Sequence, residues 1–176
     1  MKGQETYEFD PRRFFPSFFR VSKAILLSPR EFFHGMRMQG SFMNPFFYLL
    51  SCILFHVLVF GVLQKDPLFM LRTTILGLVF PLITAGILFF IITRGFKAQG
   101  SYETAFRVNA YASAVNLITW LPLVGLLLEF YRIYLIAIGL RACFSIKLWQ
   151  AFLAILITMA IYITAAGATG LFSGGR

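Results

Sequence analysis

Two charged side chains inside an apolar stretch are the residues of this sequence best suited to chemistry. Glu129 and Arg132 lie three residues apart within residues 108–140. Residues at this spacing share one side of a helix, so the two can form an ion pair. Pairing offsets a cost of roughly 2.5 to 3.5 kcal/mol for each charge at the centre of a bilayer. The pair is predicted to be a structural lock between helices, a lipid or partner contact, or part of a proton or solute path.

Small and amide side chains in the preceding segment suit contact with another helix. Asn109 and Asn116 lie seven residues apart, and Arg107 opens the same apolar stretch. Helices in lipid associate through close backbone approach and interhelical hydrogen bonds, so this face is expected to pack on the segment that carries the ion pair. These residues define a candidate intramembrane polar cluster, which consists of Arg107, Asn109, Asn116, Glu129 and Arg132.

Other residue types give little support for an enzyme. The imidazole of His56 could relay protons, but the sequence assigns it no neighbouring carboxylate, and we expect a neutral side chain bonded to another helix. The sequence has no His-x-x-x-His pair, no Gly-x-Ser-x-Gly elbow and no phosphate-binding glycine loop. Cys52 and Cys143 lack the spacing of metal ligands. We predict no catalytic residues, no metal site and no cofactor.

The composition indicates that these residues work in a membrane. Of the 176 residues, 59% are hydrophobic and only 13% are charged, whereas soluble proteins have roughly 25% charged residues. The net charge is +9, and the cations concentrate near the N-terminus and in the connectors between apolar runs, as the positive-inside rule describes. Because no nucleic-acid-binding motif accompanies the charge, we expect no nucleic-acid partner.

Residues 1–43 are predicted to form a basic cytoplasmic tail with amphipathic helices at the membrane surface. Apolar side chains alternate there with cations, and Ser28, Pro29 and Glu31 have the pattern of a capping box that begins a helix. The cations expected to meet lipid phosphates are Arg12, Arg13, Arg20, Lys23 and Arg30. A docking surface for a cytoplasmic protein is the alternative for this segment.

Residues 44–176 are predicted to form an all-α membrane domain, a bundle of five transmembrane helices. The spans are expected at about residues 46–63, 73–93, 103–120, 124–141 and 148–170. Residues 120–125 supply a Trp, a Pro and a Gly for a tight turn between the third and fourth spans. Since most cations outside the spans fall on the side of the N-terminus, that end is expected in the cytoplasm and the C-terminus outside.

Several segments, in their order and spacing, resemble the Yip1 family of five-span membrane proteins, in its bacterial and archaeal form. The resemblance covers roughly residues 28–165. The matching segments are Ser28-Pro29-Arg30-Glu31-Phe32-Phe33, Asn44-Pro45, Gly100-Ser101-Tyr102-Glu103, Tyr111-Ala112-Ser113-Ala114, the turn at residues 120–125, Tyr134-Leu135 and Gly139-Leu140-Arg141.

The resemblance implies a cytosolic N-terminus and a membrane-embedded bundle. For the eukaryotic members it also implies a role in vesicle traffic through contacts with lipidated Rab GTPases and with one another. The acidic Asp-Leu-Tyr motif of those members is missing here, and their Gly-Tyr pair in the third span appears as Ala110-Tyr111. The architecture and the role of a membrane organiser are therefore carried over, and the Rab-type GTPase partner is not.

The sequence therefore predicts a non-enzymatic integral membrane protein of the Yip1 family. As an organiser or adaptor in a prokaryotic cytoplasmic (inner) membrane, it would bind membrane lipids and either a membrane-protein partner or a second copy of itself. The alternative is a small transporter or channel subunit with a polar path near Glu129 and Arg132. The two differ in whether the polar cluster lines a hydrated cavity or a closed, packed seam.

Overall fold

Helices make up all the regular structure in the part of the chain that the computed structural model describes. That part comprises residues 8–38, 40–64, 66–119 and 125–168. The helices are α1 (Phe14–Leu27), α2 (Pro29–Gly35), α3 (Met43–Gln64), α4 (Pro67–Phe90), α5 (Tyr102–Ala112), α6 (Gly125–Phe144) and α7 (Leu148–Ala168). A 3₁₀ turn (Pro11–Arg13) precedes α1, a π turn (Ile91–Gly95) extends α4, and a 3₁₀ turn (Ser113–Leu117) extends α5.

The two N-terminal helices each bury one face against the rest of the chain. In α1, Val21 and Ile25 are fully buried, and α2 buries Phe32 and Phe33. The amphipathic pattern of the sequence thus corresponds to two helices with one buried and one exposed face.

Ser28 separates α1 from α2, as the sequence predicts, but the capping bond differs. Its side chain makes no cap hydrogen bond, and its backbone N–H instead donates to the Ala24 carbonyl, closing α1. The ψ angle of Ser28 is 57° rather than the extended value of an N-cap residue, so its hydroxyl is not aligned with the first amides of α2.

In the described part of the chain, three helical segments are long and apolar enough to cross a membrane. They are Met43–Gly61, Pro67–Gly95 and Leu148–Gly167. In the most apolar stretch of 18 residues of each segment, between 22% and 33% is buried within the protein. Most of the apolar surface of these helices therefore points outward. Water would make that exposure costly, whereas lipid tails accept it.

Helix α5 occupies the centre of the bundle, in contact with α3, α4 and α6. Residues 104–112 are all buried. Its start is fixed by Ser101, whose hydroxyl accepts a hydrogen bond from the Thr104 amide at 3.2 Å. Because neighbouring helices surround it, α5 can carry polar side chains that would be costly against lipid.

Helices overlap all five predicted spans, but two of these helices differ from simple crossings. With its 3₁₀ extension α5 is roughly 25 Å long, short of the roughly 30 Å of a hydrocarbon core. Helix α6 carries Glu129 and Arg132, which lower its hydropathy. The predicted turn between these helices lies largely in residues 120–124, outside the described residues.

Candidate functional site

Among the described residues, Arg107 is the largest side chain that is fully buried. It forms ion pairs with Glu8 and Glu103. Its Nε and Nη2 atoms donate to Glu103 Oε1 at 3.0 and 2.9 Å, and Nη1 pairs with Glu8. Nη2 also donates to the Ser41 carbonyl at 3.0 Å. We call Arg107, Glu8, Glu103 and Ser41 the Arg107 cluster. Two carboxylates compensate one guanidinium, which makes its complete burial tolerable.

The Arg107 cluster joins segments that lie far apart in the sequence. Glu8 precedes α1, Ser41 lies between α2 and α3, and Glu103 and Arg107 are one turn apart in α5. A second bond supports this join, since the Thr104 hydroxyl donates to the Met38 carbonyl at 3.0 Å. The cluster therefore fastens the N-terminal segment and the α2–α3 connection to the central helix.

Aromatic side chains extend the contact made by Glu8. The fully buried ring of Phe9 lies 5.7 Å from that of Tyr48, which lies 5.2 Å from that of Tyr111. The Phe9 amide donates to the Tyr111 hydroxyl at 3.4 Å, and the hydroxyls of Tyr48 and Ser22 are 2.8 Å apart. Edge-to-face and tilted contacts of this kind add specific geometry to hydrophobic burial. The start of the described chain is thus inserted into the bundle.

The predicted ion pair on α6 is present but more open. Arg132 Nη1 lies 3.9 Å from Glu129 Oε2, with 28% of the Arg132 side chain and 55% of the Glu129 side chain exposed. Both residues line a cavity of about 280 Å³ that we call the Asn109 cavity. Asn109 is 1% exposed, and both polar atoms of its amide lack a hydrogen-bond partner among the described residues. An unpaired buried amide is costly and is found where a ligand or water can satisfy it.

A second cavity, of about 210 Å³, lies on the other side of Glu129. We call it the His56 cavity; its lining includes His56, Asn116, Thr119 and Glu129. The Thr119 hydroxyl donates to the Asn116 carbonyl at 3.1 Å. His56 Nδ1 lies 3.0 Å from the same Thr119 hydroxyl. His56 is therefore bonded to another segment, but to a turn residue after the 3₁₀ extension of α5 rather than to a helix as predicted.

The structure divides the candidate polar cluster into two parts. Asn109, Asn116, Glu129 and Arg132 surround two cavities that share Glu129, whereas Arg107 belongs to the Arg107 cluster. Helical geometry explains this division, because residues 107 and 109 are about 200° apart around α5. The spacing of Glu103 and Arg107 predicts their pairing, but no local signal in the sequence identifies Glu8 as the second partner.

The glycine near the end of α6 marks a close helix contact. A Cβ atom on Gly139 would lie 2.6 Å from Val108 Cγ1 and 3.0 Å from Phe33 Cε1. At Gly125, the first residue of α6, a Cβ atom would meet no described atom within 4 Å. Helix α6 therefore approaches its neighbours closely at Gly139, where it meets both α2 and α5.

The five cations predicted to meet lipid are all exposed. Arg20 and Lys23 border one groove beside α1 and α2, together with Glu31. Arg30 lines a different pocket, between α2 and α6. The exposed residues are Arg12, Arg13, Arg20, Lys23 and Arg30.

Metal-ligating side chains and thiols complete the description of the site. Among the described residues, no group of three or more His, Cys, Asp or Glu side chains is arranged to hold a metal ion. Cys52 and Cys143 are free thiols, and both are buried.

Comparison with known families agrees with this architecture. The family model described as Yip1 domain matches residues 23–169, a range that holds α2 to α7 and both cavities. No curated protein and no solved structure matches the chain. The family match covers most of the sequence. The chain is therefore a multi-pass membrane protein that belongs to the Yip1 domain family.

Proposed function

We propose that this protein is a non-enzymatic membrane organiser or adaptor, whose N-terminal helices form a fixed binding surface on a five-helix membrane bundle. The observation that supports this most is the attachment of the N-terminal segment through Glu8 and Arg107. A mobile anchor would not need an ion pair whose arginine is fully buried and whose carboxylate is only 10% exposed. A surface that must meet its partner in one fixed geometry would need such an ion pair.

The exposed face of α1 has the chemistry of such a surface. Phe15, Phe19 and Leu27 are about 70% exposed, and Arg20 and Lys23 lie exposed on the same helix. Aromatic groups beside cations suit the boundary between lipid headgroups and water, and also suit a membrane-associated protein partner. The proposed partner is a protein in or at the same membrane, or a second copy of this chain.

The proposed bundle crosses the membrane five times with the N-terminus in the cytoplasm. Short connections support this path, since α3 and α4 are two residues apart and α6 and α7 are three apart. Because neighbouring helices cover α5, its low hydropathy does not oppose a crossing. The ion pair of α6 is directed to the cavities, which lowers the cost of its charges.

Cysteine labelling tests this topology. Gly125→Cys, in the predicted turn between the third and fourth spans, should react with a membrane-impermeant maleimide added outside intact cells, whereas Lys147→Cys should react only after permeabilisation. The native thiols are buried and serve as the background. Outside labelling at position 147, or protection at 125 until the cells are permeabilised, would overturn the five-crossing path.

Partner binding is tested by affinity isolation from native membranes in a mild detergent, with quantitative mass spectrometry. The comparison is between the full chain, a chain lacking residues 1–27, and two double variants of the N-terminal surface. Phe15→Ser with Phe19→Ser should release a stoichiometric partner, while Arg12→Gln with Arg13→Gln should retain it. Isolation of self-assemblies alone from every variant would instead support transport.

A transporter or channel subunit is the second candidate function. It is favoured by the two cavities that share Glu129 and by the unpaired amide of Asn109. A polar path through the bundle would need such groups between helices. Liposome flux measurements on the wild type and Glu129→Gln test this candidate. Loss of flux in a fully assembled variant would favour it over the organiser.

A further inference from the structure

We propose that a pocket between α2 and the α6–α7 connection binds the phosphate-bearing headgroup of an anionic phospholipid. We call it the basic pocket. It has a volume of about 500 Å³, and its polar lining consists of Arg30, His34, Tyr134, Arg141 and Ser145. This inference is independent of the proposed partner on α1.

The charge of the basic pocket has one sign. Arg30 and Arg141 line it, no described acidic residue does, and neither guanidinium forms an ion pair within the described residues. Glu31, the nearest carboxylate in sequence to Arg30, borders the separate groove with Arg20 and Lys23. Two guanidinium groups held on one pocket repel each other, and a bound anion relieves that repulsion. Guanidinium groups also match phosphate geometry through paired N–H donors.

Neutral donors complete the pocket. The Tyr134 ring stacks on that of Tyr131 at 5.9 Å, and Tyr131 in turn donates to the Leu26 carbonyl at 2.8 Å. These contacts fix the orientation of the Tyr134 ring, and the Tyr134 side chain lines the pocket. Ser145 lines the same space with a φ of 53°, a left-handed conformation that is costly for a residue other than glycine. Strain of this kind is common at ligand sites.

The helix ends do not determine the sign of the electrostatic potential in the basic pocket. Helix α6 ends at Phe144, close to the pocket, and α7 begins at Leu148, which lines it. A negative carboxyl end and a positive amino end therefore meet there, and their fields oppose each other. The arginine side chains supply the net attraction for an anion.

The shape of the pocket favours a lipid over free phosphate. Its volume is within the range of about 300 to 1,000 Å³ that encloses a drug-sized molecule, much more than a phosphate fills. Ile138, Ile146 and Leu148 provide apolar lining beside the cations, and the exposed ring of Trp149 follows in α7. Cations and an aromatic ring at helix ends are typical of the headgroup level of a membrane.

Native mass spectrometry of the full chain in a neutral detergent tests this site. Phosphatidylglycerol and phosphatidylcholine with identical acyl chains are titrated separately, and thermal stability is measured in parallel. We expect phosphatidylglycerol to bind preferentially. Arg30→Gln with Arg141→Gln should weaken that binding by about tenfold or more.

A matched control separates the pocket from the overall charge. Arg72→Gln with Arg94→Gln removes the same charge at exposed positions outside the pocket and should leave phosphatidylglycerol affinity within about twofold. The single variant Arg30→Gln, on the exposed side of α2, should lose part of the phosphatidylglycerol affinity. It provides a test of the pocket even if the double variant misfolds. Equal losses in the two double variants, or equal affinity for the two lipids, would overturn the proposal.

Soluble anions distinguish the two sources of phosphate. Inorganic phosphate and glycerol 1-phosphate are added at millimolar concentration to the phosphatidylglycerol complex. Retention of the lipid supports a headgroup site that also uses the apolar lining. Displacement by either soluble anion at low millimolar concentration would reassign the pocket to a soluble phosphate ligand.

Discussion

Arg107 and Arg132 are both arginines of the bundle helices with a carboxylate one turn away, yet their surroundings differ completely. Arg107 is fully buried between Glu8 and Glu103, and the Ser41 backbone carbonyl is its third hydrogen-bond partner. Arg132 is 3.9 Å from Glu129, and both remain partly exposed beside cavities. The first arrangement holds distant segments together, while the second leaves charge available to a ligand or partner. Sequence spacing alone does not distinguish the two.

The variant Arg107→Gln should give the largest loss of stability. It leaves two carboxylates that are 10% and 26% exposed without their cation, and breaking a buried pair in this way costs about 3 to 5 kcal/mol. Thermal unfolding in detergent, followed by size-exclusion chromatography, measures the loss. Arg132→Gln is the matched control and should change stability by less than about 1 kcal/mol. Equal losses for the two variants would remove the distinction between the two sites.

The variant Glu8→Gln should give the next largest effect. It keeps the shape of the side chain but replaces a charge-assisted bond to Arg107, which is worth about 1.5 to 3 kcal/mol. Limited proteolysis should then cleave ahead of α1 faster than in the wild type. Asp10→Asn is the control, because Asp10 accepts from the exposed Arg12 amide and does not contact Arg107. If the two variants are cleaved at the same rate, Glu8 does not anchor the segment.

The two glycines of α6 allow the packing at its ends to be compared. Gly139→Ala would place a methyl group against Val108 and Phe33 and should cost about 1 to 3 kcal/mol. Gly125→Ala should be neutral or slightly stabilising, since a Cβ atom there meets no described atom within 4 Å. Thermal unfolding of both variants checks the difference. Adding Val108→Ala to Gly139→Ala should restore part of the loss, and no restoration would argue against this contact.

The variant Glu129→Gln should have the smallest effect on stability, less than about 1 kcal/mol, because the pair is long and partly exposed. Its consequence should appear in assembly or in partner retention, measured by affinity isolation from membranes. Arg132→Gln should show the same change if the ion pair, rather than the carboxylate alone, is responsible. A large fall in thermal stability would show that Glu129 is a structural lock like Arg107.

Much of the helical organisation follows from the sequence because it depends on local features. Ser101 begins α5 with a capping bond, Ser28 separates α1 from α2, and the apolar runs of α3, α4 and α7 are long enough to be recognised without tertiary contacts. The pairing of Glu129 with Arg132 also follows from helical spacing alone. The family resemblance, which the match to residues 23–169 confirms, rests on the order of such local segments.

The sequence by itself determined the apolar composition, the positions of the helices and the charged pairs within single turns. Tertiary structure decided that Glu8, 99 residues away, would be the second partner of Arg107. It also decided that Asn109 would face a cavity with no hydrogen-bond partner among the described residues. It also brought Arg30 of α2 and Arg141 of α6 to one pocket. The reason is physical: caps and helical periods act over a few residues, whereas these contacts exist only once the N-terminal helices pack against α5 and α6.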